Sequence, residues 1–328
     1  MNTSRDLVIN ALCQQSVERI PRDVVDMTSI VDPRAEEVTE VSRRYPSDIL
    51  RLESPYPVGL ECWGVSPHRS SCTAGPPLAT RADIVRFDPP FDLFPQVAWE
   101  DVERQCDRTS QFVLAPAEFR PLDRLSTLLG ESRAERALME GVDEVERLLG
   151  RIHEFLCLEL RLWLEMPVDG IVIRDDLGDL AYPRLDPRLW HDVFEPLYAE
   201  YAAMAREQDK FVFFETSEAG ELILDELVDM EIDAVSLPMT IDGLERFAGR
   251  YRGEITFCGE ISDPRIGPDA SCEDLRDAIF QARQLMDFGA GGMIAKVPWT
   301  TEMPRSQVVS MLDHWSTPMP MHAWGSGQ

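Results

Sequence analysis

The sequence has very little lysine and is short of positive charge as a whole. Lys210 and Lys296 are its lysines, and 32 basic residues face 59 acidic ones, which gives a formal net charge of −27. Nucleic acids and anionic membranes attract positively charged surfaces, so we expect neither as a partner. No apolar run reaches the roughly 18 residues of a membrane helix, and the first residues lack the basic-then-apolar pattern of a signal peptide. We therefore expect a cytoplasmic protein that acts on a small molecule.

Short motifs of cysteine, histidine and glycine are also missing. The seven cysteines contain no Cys-x-x-Cys pair, so we expect reduced thiols rather than disulfides or a local zinc site. His-Glu-x-x-His, Gly-x-Ser-x-Gly and Walker sequences do not occur, which disfavours zincin, serine-hydrolase and nucleotide-phosphatase chemistry. His153 and His191 lie within predicted helices, where we expect surface or packing roles.

Short apolar strands alternate with amphipathic helices along most of the chain. Such alternation implies parallel strands joined by helical crossovers. Seven strands are visible, and we expect an eighth in Val58–Cys62 or in the loop-rich sequence beside it. The predicted strands are Arg22–Asp26, Phe112–Pro116, Gly170–Ile173, Phe211–Phe214, Ala234–Leu237, Ile255–Cys258 and Met293–Val297, and the predicted helices are Val142–Leu164, Pro187–Glu207, Gly220–Met230 and Cys272–Phe288.

This pattern predicts an α/β fold, a (β/α)8 TIM barrel with an irregular N-terminal extension. We expect one domain over 1–328, with an irregular loop insert at about 54–95 that is rich in Pro, Gly and Ser. A doubly wound open sheet is the alternative. The sequence has no Gly-x-Gly-x-x-Gly after a strand, which disfavours the dinucleotide-binding form of that alternative.

Barrel enzymes place their chemistry at the C-terminal ends of the strands. At one such end Asp175 and Asp176 follow Gly170–Ile173. Neighbouring side chains on an extended strand point in opposite directions, so one carboxylate faces the axis. That carboxylate would orient a substrate, bind a cation or act as a base. The alternative is that the pair consists of a helix cap and a surface acid, with an arginine such as Arg174 as partner.

Further acids follow other predicted strands. Glu215 comes directly after Phe211–Phe214, where a carboxylate is either used chemically or paired with an arginine. Glu260 follows the segment Cys258–Gly259. Several carboxylates around one barrel mouth imply a metal, a cationic substrate, shared protons or compensating cations. The other predicted pocket residues are Glu118, Arg120, Ser217, Lys296 and Trp299.

Several segments together resemble the uroporphyrinogen decarboxylase-like superfamily, which includes the decarboxylase itself and cobalamin-linked methyltransferases. The most specific is Asp169–Gly178, with the sequence Asp-Gly-Ile-Val-Ile-Arg-Asp-Asp-Leu-Gly. The resemblance covers nearly the whole chain and implies a (β/α)8 barrel whose site lies at the strand mouth. The other matching segments are Trp63–Gly64, Phe211–Glu215, Glu231–Ala234, Ile255–Ile261 and Gly291–Ile294.

Departures from that family's motifs narrow the implied function. The decarboxylase's Arg-Gln-Ala-Gly-Arg-Tyr segment is replaced by Arg22–Met27, and an acidic mouth suits an anionic tetrapyrrole poorly. The zinc-binding His-x-Cys pair of the thiol-directed methyltransferases is replaced by Glu215 and Ser217, and Val297–Trp299 lacks the late cysteine. We therefore assign no residue as a metal ligand, although Glu215 would be the candidate if a metal binds. Zinc is expected less here than in other members of the family.

The O-demethylase methyltransferases of the family have a proposed metal pattern of two glutamates and a histidine. Glu200 and Glu215 fit its first spacing, but Ser236 stands where the histidine would be. Glu200 also falls within a predicted helix, away from the strand ends. We interpret the agreement as coincidental.

Our leading hypothesis is a methyltransferase-like enzyme that moves a methyl group from a small donor to a corrinoid, such as methylcobalamin on a partner corrinoid protein, or to another acceptor. Glu215 would be the acid and Asp176 would orient the donor. Asp175, Glu260 and Arg120 would contribute to the pocket. The alternatives are a lyase or decarboxylase acting on a small carboxylated substrate, and a barrel that binds a small molecule without catalysis.

Overall fold

A computed structural model describes residues 3–26, 35–55, 76–116, 119–261, 266, 270–286, 290–299 and 304–317. Its helices are α1 (Ser4–Leu12), α2 (Ala35–Arg44), α3 (Arg81–Arg86), α4 (Trp99–Asp107), α5 (Pro121–Leu129), α6 (Glu131–Met139), α7 (Asp143–Leu164), α8 (Pro187–Leu189), α9 (Glu195–Arg206), α10 (Leu224–Asp229), α11 (Ile241–Tyr251), α12 (Cys272–Met286) and α13 (Arg305–Ser316). Its strands are β1 (Arg22–Asp26), β2 (Ile49–Arg51), β3 (Phe112–Leu114), β4 (Gly170–Arg174), β5 (Gly178–Asp179), β6 (Tyr182–Pro183), β7 (Phe211–Glu215), β8 (Ala234–Ser236), β9 (Thr256–Gly259) and β10 (Met293–Trp299).

Parallel strands separated by helices make the fold a (β/α)8 barrel, as the sequence predicts. The chain divides into two compact units. In the first, β10 pairs with β1 and with β9, and β9 pairs with β8. In the second, β4 pairs with β7 and with β3. The first unit contains Met1–Leu50, Ser110–Val113 and Ile232–Gln328, and the second contains Arg51–Thr109 and Leu114–Glu231.

The helix α7 shows how the apolar pattern produces the core of the second unit. Its buried residues recur every three or four positions and include Leu149, Ile152 and Leu156, so they form one stripe along the helix. The helix begins at Asp143 with an acidic first turn, which complements the partial positive charge of a helix N-terminus. The prediction of a helix over Val142–Leu164 is therefore confirmed to within one residue.

Two expectations about the early part of the chain need correction. The additional strand is β2, Ile49–Arg51, whose apolar run ends after Ile49 and Leu50. The expected segment Val58–Cys62 lies outside the described residues. The predicted irregular insert at 54–95 contains α3 and the start of a 3-10 helix, Phe91–Gln96. Thr80 begins α3 with a capping box, its hydroxyl accepting from the backbone N–H of Asp83. Local capping was therefore overlooked in a region judged by its Pro and Gly content.

The predicted helix Pro187–Glu207 is interrupted. It consists of α8, a π-helical turn at Trp190–Phe194, and α9. Among the helices in the described part of the chain, none is both long enough and apolar enough to cross a bilayer.

Candidate active site at the strand ends

A buried glutamate and two arginines form an ionic group in the second unit. Glu215, which is 4% exposed, is in register with Arg174 on the neighbouring strand. Arg51 at the end of β2 donates from Nη2 to Glu215 Oε1 at 2.6 Å. Arg174 donates from Nε to Oε2 at 3.0 Å and makes a second bond to the same oxygen from Nη2. The carboxylate therefore has an arginine on each oxygen.

This pairing bears on the role expected for Glu215. Two adjacent guanidinium groups favour the ionised carboxylate, whereas a proton donor must hold its proton at working pH. Of the two roles considered for Glu215 from the sequence, chemical use and pairing with an arginine, the structure shows the pairing. Glu215 is thus placed to fix the two guanidinium groups at the strand ends.

Asp175 caps a helix that is distant in sequence. It is 1% exposed and accepts hydrogen bonds from the backbone N–H groups of Leu122 at 3.0 Å and Asp123 at 2.7 Å. The hydroxyl of Tyr198 donates to it at 2.6 Å. Leu122 and Asp123 lie in the first turn of α5, where backbone N–H groups have no partner within the helix. Arg120, the residue before α5, does not cap the helix with its side chain. Asp175 caps it instead, and its carboxylate is buried in the protein.

The burial of Asp175 has a consequence for pH dependence. Burial raises the pKa of this carboxyl to about 7, although the hydrogen bonds from Tyr198 and the backbone lower it. The native state then keeps a proton that the unfolded chain releases near its ordinary pKa of 3.8. Between these values the native state binds more protons, so the contribution of Asp175 to stability falls as pH rises towards 7 and is constant above it.

We expect this contribution to appear as a difference between two titrations. Urea unfolding of the natural chain and of the Asp175→Asn variant, measured from pH 4 to pH 8, should give curves whose separation changes with pH and levels off near pH 7. The comparison cancels the other carboxylates, which are common to both proteins. Parallel curves over the whole range would contradict the assignment.

Asp176 and Gly178 shape the turn that follows β4. Asp176 is exposed; it accepts from the Gly178 N–H at 2.9 Å and from Arg184 Nη1 at 3.0 Å. Burial opposes the change, but the hydrogen bonds from Gly178 and Ser217 and the Arg184 charge lower the pKa of Asp176 below its ordinary value. Gly178 has φ +85°, and a Cβ there would lie 2.7 Å from the Tyr182 carbonyl oxygen, so glycine is required. The Asp-Asp-Leu-Gly motif therefore has a local structural explanation.

The other predicted site residues of the second unit are Ser217, Arg120 and Glu118. Ser217 accepts a hydrogen bond from the Leu177 N–H at 2.9 Å, which links the loops after β7 and β4. Arg120 is half-buried, with Nη1 3.6 Å from a carboxylate oxygen of Asp123. Glu118 lies outside the described residues.

In the first unit, Glu260 and Lys296 form a separate group. Glu260 follows β9 and keeps part of its surface exposed. Partial burial of the carboxyl raises its pKa, and the Lys296 charge partly offsets that rise. Lys296 Nζ donates to Ser236 Oγ at 3.0 Å. Glu260 thus combines solvent access with a raised pKa, the properties expected of an acid catalyst. Trp299 ends β10, but its side chain is outside the described part.

A small apolar cavity lies beside the loops that follow β4 and β7. Its volume is about 100 Å³. Trp190 lines it and is 3% exposed, and its indole N–H has no hydrogen-bond partner among the residues described. Trp190 also begins the π-helical turn, a distortion often found at functional sites. A small apolar group would suit this cavity, whose other lining residues include Leu177, Pro183, Ala219 and Ile223.

Sequence reasoning missed three residues of these groups: Arg51, Tyr198 and Arg184. Arg51 was missed because its strand was not predicted. Tyr198 lies within a predicted helix, and no local pattern indicates that its hydroxyl meets Asp175. Arg184 carried a usable signal, since an arginine shortly after two adjacent aspartates is a natural ion-pair partner.

The residues at the strand ends of the second unit do not fit the zinc site of the thiol-directed methyltransferases. Both oxygens of Glu215 are bonded to arginines, and Ser217 replaces the thiol. Glu200, the other glutamate of the O-demethylase spacing, bonds instead to His153 on α7. The two glutamates therefore have different partners.

The chain is similar to known proteins in its fold. No family profile and no curated protein sequence matches the chain. Among solved structures, the chain is similar to a methyltransferase from Methanosarcina mazei, with a TM-score of 0.70 and 14% sequence identity. The likeness covers 96% of this chain and 98% of that one. At this identity, what the two proteins are shown to share is the barrel fold.

Proposed function

We propose that the chain is a methyltransferase-like enzyme of the uroporphyrinogen decarboxylase-like superfamily, which takes a methyl group from a small donor. The observation that carries the proposal is the likeness of nearly the whole chain to a methyltransferase. The charged group at Glu215 and the neighbouring apolar cavity support it, because they offer a cation and a small binding space at the strand ends.

In methyl transfer the bond between the methyl group and the donor atom breaks as the bond to the acceptor forms. The donor atom keeps the electron pair, so negative charge develops on it. Arg174 holds Glu215 with Nε and Nη2, while its side chain remains 47% exposed. Its guanidinium would stabilise the departing atom, and Glu215 with Arg51 would hold it in position.

The methyl donor and the methyl acceptor would bind in different ways. The apolar part of the donor would occupy the cavity beside Leu177 and Trp190. The acceptor would be a corrinoid presented by a partner protein, or another nucleophile. A corrinoid would then be a second substrate rather than a resident group.

Methyl transfer can be measured with donors carrying a ¹³C-methyl group on oxygen, nitrogen or sulfur and mass spectrometry of the products. The acceptor is free corrinoid chemically reduced to the Co(I) state, which supplies the electron pair for the new bond. We expect labelled acceptor from the natural chain. Arg174→Ala should lower kcat roughly 10- to 100-fold, less than for a buried oxyanion donor because this guanidinium is half exposed. Trp190→Phe should chiefly raise KM, since it changes the wall of the cavity that would hold the apolar part of the donor.

Arg188→Ala is the matched control, because Arg188 is an exposed arginine whose partner Asp186 lies outside the strand-end group. Its kcat should equal that of the natural chain. Absence of labelled acceptor with every donor class would overturn the proposal, and equal loss in Arg174→Ala and Arg188→Ala would refute the role of Arg174.

A lyase or decarboxylase acting on a small carboxylated substrate is the second candidate. The two arginines around Glu215 favour it, because guanidinium groups also bind carboxylates. Release of carbon dioxide without a methylated acceptor would identify this reaction, and neither product would indicate a binding protein.

A further inference from the structure

We infer that His153, Cys157 and Glu200 form a binding site for a divalent transition-metal ion, zinc in the first instance, between α7 and α9. This site is separate from the strand ends and does not depend on the proposed methyl transfer. It supplies the nitrogen, sulfur and oxygen donors that zinc uses in proteins.

The three side chains converge through simple helix geometry. His153 and Cys157 are four residues apart on α7, so they project from one face of the helix. Glu200 comes from the facing helix α9, and the donor atoms of all three lie within 4.8 Å of one another. Two helices therefore contribute ligands to one point.

The separations match those of a zinc site. Glu200 Oε2 lies 3.0 Å from His153 Nε2, and Cys157 Sγ lies 3.6 Å from Nε2 and 3.8 Å from Glu200 Oε1. In a tetrahedral site with metal bonds of about 2.0–2.3 Å, pairs of donors are separated by roughly 3.3–3.6 Å. Sγ also lies 3.8 Å from Nδ1, so the sulfur is about equally far from both ring nitrogens. The Cys157 side chain must therefore turn towards Nε2 for both groups to bind one ion.

The surroundings favour metal binding by the imidazole. The Tyr201 hydroxyl lies 2.9 Å from His153 Nδ1. When Nδ1 carries the proton and donates it to this hydroxyl oxygen, Nε2 presents its lone pair to the metal. Such outer partners orient metal-binding histidines in many proteins. Because Tyr201 is fully buried, its hydroxyl has a fixed position and can orient the imidazole ring of His153.

Access and selectivity also agree with a metal site. Cys157 is buried, while the Glu200 side chain is 51% exposed, so an ion can enter from solvent and keep a water as its fourth ligand. Binding replaces the thiol proton by the metal and releases that proton to solvent. A thiolate with an imidazole selects zinc over magnesium or calcium, which prefer oxygen ligands.

The test is titration of the metal-stripped full chain with Zn²⁺, followed by native mass spectrometry and calorimetry, and with Co²⁺, followed by absorption. We expect one tightly bound ion, a sulfur-to-cobalt charge-transfer band, and a higher melting temperature with zinc. Cys157→Ala should abolish that band, and His153→Ala should abolish one-to-one binding. Tyr201→Phe should weaken affinity about tenfold, the effect of losing an outer partner.

Three controls separate this site from others. Cys106→Ala removes a buried cysteine of α4, His191→Ala removes an exposed histidine paired with Glu195, and Glu215→Gln changes the strand-end group. Each should bind one zinc ion like the natural chain. Glu200→Gln, at a half-exposed position, tests the site if a variant of α7 fails to fold. No bound equivalent, or binding unchanged in His153→Ala and Glu200→Gln, would overturn the inference.

Discussion

Glu215→Gln is expected to lower turnover by no more than the roughly 10- to 100-fold expected for loss of Arg174, because Glu215 acts through the arginines. The same change should lower the free energy of unfolding by about 2–3 kcal/mol. The amide has nearly the same shape, so packing is preserved, but its neutral head leaves Arg51 and Arg174 facing each other without the shared carboxylate. Removing one partner of a buried ion pair costs about 3–5 kcal/mol. We take a lower figure because half of the Arg174 side chain is exposed.

Urea unfolding and steady-state kinetics measure the two effects together. The matched control is Glu207→Gln, an exposed glutamate just after α9, which should change neither quantity measurably. A stability unchanged in Glu215→Gln would show that the arginines do not depend on the carboxylate. Full activity in the same variant would remove Glu215 from the candidate site.

Asp175→Ala is expected to have the largest effect on stability, about 3–4 kcal/mol. The substitution leaves three donors without their acceptor: the N–H groups of Leu122 and Asp123 and the hydroxyl of Tyr198. Each buried donor left unmatched costs about 1–3 kcal/mol, and the relief of burying a charged group offsets part of the sum.

Tyr198→Phe is the matched comparison, because it removes the buried donor together with the hydrogen bond. It should cost about 1 kcal/mol. In Asp175→Ala/Tyr198→Phe the hydroxyl is no longer stranded, so the double variant should be less destabilised than the sum of the single ones. Strict additivity would show that Tyr198 and Asp175 act independently.

The fold could be predicted from the sequence because burial leaves a regular trace. The apolar spacing of α7 and the uninterrupted apolar residues of β4 identify these elements directly. The strand β2 leaves no such trace, since its apolar run consists of Ile49 and Leu50 alone, whereas the equally short β3 lies within four consecutive apolar residues, Phe112–Ala115. The single-domain expectation stays a prediction.

The candidate site was predicted only in part, and the reason is physical. Position at a strand end follows from the chain order, so Asp175, Asp176 and Glu215 were selected correctly as strand-end residues. What each carboxylate bonds to depends on contacts distant in sequence. Arg51 is separated from Glu215 by more than half of the second unit's sequence, and Tyr198 meets Asp175 across elements.

His153 and Cys157 illustrate a signal that was present but not used. Their spacing of four residues on a predicted helix is the spacing of two side chains on one face. We discounted the histidine because it lies away from the strand ends. Side chains on neighbouring helices of a barrel can therefore form a polar group far from the strand ends.

The capping of α5 by Asp175 couples two segments mechanically. The chain entering α5 and the chain leaving β4 share the same carboxylate, so neither can shift without breaking hydrogen bonds of the other. Insertions in either segment would carry a large penalty during evolution. The loop after β7 is joined to the loop after β4 through Ser217, which accepts from the Leu177 N–H. New substrate preferences are thus expected to arise at exposed residues that line the cavity, such as Leu222, while the capped framework stays constant.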